Sequence, residues 1–189
     1  MKKIFFILAM LLSSINLMAQ EHLSFKGIPI EGSMAEFCQK LKTKGLTSIG
    51  RDGNTALFTG DFTGRKTTIA VAATDDGKNV FGVVVLFDAS EEWNTLVNTY
   101  EYYKNLYIRK YGEPTLSQEK NPARSDSNTA LMAEVHQGTV VWGSAWKVAG
   151  GDIELSIEKS SGVYEGMVRI LYRDSQNVEA KIQEDLEEI

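Results

Sequence analysis

Two eight-residue runs, "TALFTGDF" from Thr55 and "TVVWGSAW" from Thr139, align without a gap, and each opens a train of three strand-like segments. Superposing them places Ala56 on Val140, Phe58 on Trp142, Gly60 on Ser144 and Phe62 on Trp146. Strand side chains alternate faces, so the aromatics of each run point to one side. The following segments match in order and spacing: "TTIAVAAT" and "NVFGVVVLF" in the first train, "DIELSIE" and "GMVRILY" in the second. Between them lie "TGRK", "DDGK", "GG" and "SSGVYE", all turn-forming. Self-similarity of this kind reads as two diverged copies of one supersecondary unit.

Helical patterns flank the trains. In "SMAEFCQKLKTKG", Ser33 and Glu36 have capping-box spacing, and Gly45 supplies a stop. Met34, Phe37, Cys38 and Leu41 form one stripe there at i, i+3, i+4 and i+7. "DASEEWNTLVNTYEYYKNLYIRKYGEP" predicts a long helix, capped by Asp88 with Glu91 at the third position and ended by Gly112 and Pro114. The tail "SQNVEAKIQEDLEEI" stacks Val178, Ile182 and Leu186 on a further helix. Ser117–Asn128 reads as a loop or linker, and "TALMAEVH" as an additional strand.

The predicted fold class is α+β: two α-β-β-β units forming an antiparallel sheet covered on one face by helices, plus a C-terminal helix. Residues 20–112 hold the first unit and the long connecting helix, 113–130 the loop, and 131–189 the second meander and last helix. They form one compact domain or two tandem subdomains. "DIELSIE" assigns the faces, since Ile153, Leu155 and Ile157 alternate with Asp152, Glu154, Ser156 and Glu158. A neighbouring strand sets its apolar face beside that dry one, which places Val140, Trp142, Trp146 and Val148 under the helices. Gly82 and Gly166, inside strands, mark bulges or close packing.

The first nineteen residues read as an export leader: Lys2 and Lys3, an apolar run from Ile4 to Leu12, then a polar stretch ending at Ala19. Cleavage after Ala19 predicts a periplasmic or secreted product, and no later segment is long and apolar enough to span a bilayer. Loss of Lys2 and Lys3 moves the formal net charge from −5 to −7. An acidic chain without a basic cluster excludes nucleic acid as a partner class.

Catalytic constellations are sparse. Cys38 is the only cysteine, so an internal disulfide is impossible, and its place in an apolar stripe reads as core. The two histidines are His22, in a loose N-terminal segment, and His136 before "QGT"; a Cys38–His136 pair has no supporting motif. Zinc would need more ligands, and "TDDGKN" reads as a hairpin turn rather than a calcium loop. Neither a cofactor nor a metal is expected.

One surface group stands out. Trp93, Leu96, Val97, Tyr100, Tyr107 and Tyr111 form the inward stripe of the long helix, leaving Tyr102 and Leu106 on its far side and Tyr103 at the flank. Tyrosine-rich patches suit recognition, so Tyr102, Tyr103 and Leu106 are the candidate binding residues. The "SMAEFCQKLKTKGL" and "YKNLYIRKYGEP" helix ends with the two strand triplets resemble the β-lactamase inhibitor protein-like fold and PepSY-type secreted domains. The chain departs from the inhibitor pattern in showing three strands per unit rather than four, and in lacking its disulfides. The resemblance implies binding to another protein by a sheet face, and it transfers no functional residues. The expected function is an exported, non-enzymatic binding protein contacting a protein or envelope component. Alternatives are a small-ligand carrier with a cavity between sheet and helices, or a hydrolase using carboxylates near Glu154 and Glu158.

Overall fold

The computed structural model describes residues 21–187 and 189, so the leader assigned to residues 1–19 lies outside the described residues. A short hairpin, β1 (Ser24–Phe25) and β2 (Ile28–Pro29), precedes helix α1 (Met34–Thr43). Four strands follow: β3 (Thr47–Asp52), β4 (Thr55–Phe62), β5 (Arg65–Ala73) and β6 (Val80–Leu86). Helix α2 (Trp93–Tyr111) leads to β7 (Leu116–Lys120) and helix α3 (Asn128–Gln137). The chain ends with β8 (Val141–Val148), β9 (Gly151–Lys159), β10 (Gly166–Asp174) and α4 (Ser175–Leu186).

The large sheet has eight strands in the order β3-β4-β5-β6-β10-β9-β8-β7, every neighbour antiparallel. Each half is a four-stranded meander, and the halves join where β6 pairs with β10. The α+β class with an antiparallel sheet and a terminal helix is as the sequence predicts. Each half carries four strands where three were expected, because β3 and β7 lie at the outer edges with every residue exposed. Such strands carry no alternation to read.

One residue row runs across the buried face: Phe58, Ile69, Val85, Ile170, Leu155 and Ser144. The next row holds Ala56, Val71, Val83, Tyr172, Ile153 and Trp146. The face assignment of "DIELSIE" therefore holds. Trp146 is 1% exposed and its Nε1 donates to the Gly112 carbonyl at 2.9 Å. Trp142 is only half-buried, its ring edge-on to Trp93 at 5.0 Å. Strand glycines serve close packing: a Cβ on Gly166 would lie 2.6 Å from Leu96 Cδ1.

Several local expectations are corrected. "TALMAEVH" is helix α3, capped by Ser127, whose hydroxyl accepts from the Ala130 amide, and ended by Gly138 at φ 72°. The segment assigned to a loop over 113–130 contains β7 and the start of α3. Helix α2 begins four residues later than Asp88 would set it, with Glu92 as N-cap. In α4, Ile182 and Leu186 are exposed, and the buried residue is Asn177, whose Nδ2 donates to the Ile30 and Val80 carbonyls at 2.9 Å each. The backbone carbonyls of two other segments need donors there, and that demand outweighs the apolar spacing.

The N-terminal segment is not loose. The Asp174 carboxylate, fully buried, accepts from the Leu23 amide at 2.9 Å and lies 3.0 Å from His22 Nδ1. Its other oxygen caps α4 through the Asn177 amide at 3.0 Å. Ile30 N–H then donates to the Leu23 carbonyl at 2.7 Å, which fixes the β1–β2 hairpin beside the sheet.

Candidate functional site

The long helix places Tyr103, Leu106, Tyr107, Lys110 and Tyr111 at i, i+3, i+4, i+7 and i+8, a single face. Facing them are two hairpin tips. The β1–β2 tip carries Lys26 and Gly27 between the paired Phe25 and Ile28, at φ 50° and 74°. The β4–β5 tip carries Thr63 and Gly64 between Phe62 and Arg65, at φ 53° and 83°. Two-residue tips with both φ positive suit Asn-Gly or Asp-Gly, so Lys26 and Thr63 are strained choices, the branched Thr63 most of all.

Between helix and tips lies a cleft of about 480 Å³ lined by Phe62, Thr63, Tyr103, Leu106, Tyr107, Tyr111 and Tyr172, with Ser24, Lys26, Gly27 and Lys110 completing its walls. Its aromatic walls are mutually packed: Phe25 stacks on Phe62 at 5.9 Å, Tyr103 meets Phe62 at 5.9 Å, and Tyr107 stacks on Tyr111 at 5.9 Å. Behind them Tyr107 rests on Trp146 at 5.3 Å. Thr63 Oγ1 lies 2.7 Å from the Tyr103 hydroxyl, which also donates to the Phe62 carbonyl at 3.3 Å. The Tyr107 and Tyr172 hydroxyls bond each other. Burial pushes the phenols of Tyr103, Tyr107 and Tyr172 upward, so they stay protonated and serve as fixed walls.

The three residues expected to form an outward patch separate. Tyr102 is exposed at 45%, with the Arg65 guanidinium 5.6 Å from its ring centroid. Tyr103 is buried, a correction to its expected flank position, and Leu106 is half-buried against the core. Tyr103 and Leu106 both line the cleft, while Tyr102 does not. The unread signal was the helical spacing from Tyr103 to Tyr111. A single inward–outward division of the helix hides it, since a helix this long presents one face to the sheet and another to the hairpins.

The other candidates lie elsewhere. Glu154 and Glu158 sit on the helix-free sheet face, both paired with Arg169 Nη2 at 3.2 and 2.8 Å; Arg173 adds ion pairs to Asp152 at 2.7 Å and Glu154 at 3.4 Å. Asp152, Glu154 and Glu158 are thus each engaged by a guanidinium. The His136 ring lies tilted against Tyr164, centroids 4.8 Å apart. Cys38 lies beside Met34, Sγ to Sδ 3.5 Å, and burial raises its thiol pKa, the signature of a packed rather than an activated cysteine. Among the described residues no group of His, Cys, Asp and Glu is arranged to hold a metal ion, and no helix is long and apolar enough to cross a membrane. A second, more polar hollow of about 500 Å³ lies between Trp93, Trp142 and Glu119, where Glu119 is already held by Tyr100 and Lys104. No family model, curated protein or solved structure matches the chain.

Proposed function

We propose that this chain is an exported, non-enzymatic binding protein that holds a small apolar ligand in the tyrosine-walled cleft. The observation that carries the reading is the cleft itself, about 480 Å³, mainly apolar and bounded by aromatic rings that pack on the core. That volume lies in the range of ligand sites, roughly 300–1,000 Å³. Rings already locked by neighbours lose little freedom when a ligand arrives, which favours affinity. Strain at Lys26 and Thr63 marks the same place, and strained backbone concentrates at functional sites.

Leu106→Trp tests it. The larger side chain fills the cleft from its half-buried position. Titration with the apolar dye N-phenyl-1-naphthylamine should then show binding weakened by about tenfold or more, equivalent to ~1.4 kcal/mol. The melting temperature should stay within a few degrees. A wild-type chain that leaves the dye dark, or a variant that binds it equally, removes the reading.

Contact with another protein is a second reading, favoured by the helix-free sheet face. A groove of about 350 Å³ there is floored by Gly143 and Ala145 and flanked by Leu116 and Val141, which are 68% and 48% exposed. Exposed large apolar side chains set close together are typical of docking anchors. Leu116→Glu/Val141→Glu should abolish recovery of a partner that the wild type retains from envelope extract, while leaving dye binding intact. Equal recovery by both proteins retires this reading.

A further inference from the structure

We infer that the cleft selects an amphipathic carboxylate, an apolar body carrying one negative charge, and that Lys26 and Lys110 are the residues that choose it; this rests on the cleft being a ligand site. Of the residues lining the cleft, two are basic and none is acidic, in a chain whose formal net charge is −5. Among the described residues neither lysine forms an ion pair, so neither charge is already neutralised by a carboxylate. Lys26 Nζ donates to the Asp61 backbone carbonyl at 2.8 Å and stands 5.9 Å from the Phe62 ring centroid. Lys110 Nζ stands 4.8 Å from the Tyr111 ring centroid. Both ammonium groups are therefore held against rings of the cleft wall.

Asp61, whose backbone carbonyl Lys26 engages, is not ion-paired with it; its Oδ1 accepts from the Gly64 amide of its own loop at 3.0 Å. A last-turn lysine such as Lys110 also offsets the negative end of helix α2. That explanation does not reach Lys26, which lies on the facing hairpin at φ 50°, where the turn favours Asn or Gly. A charged residue at a strained turn position, lining the same apolar-walled cleft as a second lysine, is placed to meet an anion. Low-dielectric walls strengthen that attraction relative to open surface.

Calorimetric titration of residues 20–189 at pH 8 compares decanoate with decan-1-ol, and 2-naphthoate with 2-naphthol. The acid of at least one pair should bind about tenfold tighter than its alcohol. Which pair responds distinguishes an aliphatic from an aromatic body. The double variant Lys26→Gln/Lys110→Gln should erase the acid's advantage and leave the alcohol within about twofold of wild type. Salt raised to about 0.5 M should weaken the acid alone. Acid and alcohol binding equally, or an acid preference surviving the double variant, overturns the charge selection while leaving the cleft reading intact. Failure of all four compounds to bind overturns the charge selection, and dark N-phenyl-1-naphthylamine in the same sample overturns the cleft reading with it.

Discussion

Trp146→Ala should destabilise the fold by about 3–5 kcal/mol, the range for emptying a large aromatic site in a core. Trp146 is fully enclosed, in register with Ile153 on β9, and under Tyr107 at 5.3 Å. Its indole N–H also satisfies the Gly112 carbonyl, the backbone group at the C-terminal end of α2. Alanine leaves a void that rigid neighbours cannot fill and strands a helix-end carbonyl. Against a total stability of roughly 5–15 kcal/mol, that loss removes about a third or more of what holds a typical domain folded. Trp142→Ala is the internal control. Its ring is half-buried and its Nε1 has no hydrogen-bond partner among the described residues, so its replacement should cost clearly less. Guanidinium unfolding measures both; a loss below about 1 kcal/mol for Trp146→Ala would contradict its role as the keystone of the helix–sheet interface.

Asp174→Ala should cost about 3 kcal/mol through two separate losses. Removing the cap frees the Asn177 amide at the start of α4, a loss of about 1 kcal/mol. The buried Leu23 amide also loses its acceptor, adding roughly 1–3 kcal/mol. The second loss spreads, because Leu23 anchors Ile30 and so holds the hairpin that brings Lys26 and Gly27 to the cleft. Amide exchange at Leu23 and Ile30 should rise to the level of frayed termini, and dye binding should weaken with it. Asp174→Asn keeps one acceptor oxygen and should fall between. Slow exchange at both amides in Asp174→Ala would show that the hairpin is held by its apolar contacts alone.

Elements with a strong period were readable from the residues. The alternation in "DIELSIE" identifies the dry face of β9, and the Ser33–Glu36 box sets the start of α1, because local hydrogen bonding and burial agree there. "TALMAEVH" fails for the opposite reason. Its run of apolar residues suits either a strand or a buried helical turn, and Ser127 and Gly138 at its ends decide for helix. The edge strands were invisible because every residue in them is exposed, so hydrogen bonding to β4 and β8 supports them rather than burial. The cleft was half legible. Tyr103 and Leu106 stand out on the helix by sequence, but Phe62, Tyr172 and Lys26 reach the cleft only through tertiary contacts between segments far apart in the chain.

The seam between the halves sets the order in which the molecule can be completed. Leu86 on β6 is partnered by Arg169 on β10, and the buried carboxylate that pins Leu23 is the last residue of that same strand. A chain emerging from its N-terminus therefore carries the valine-rich margin of β6 bare until β10, Gly166–Asp174, has been made. Loop closure on that scale is slow, so the first half waits unfinished for the final segment to dock. A truncation before Gly166 would leave the β6 margin unpaired and the Leu23 amide without its acceptor at once.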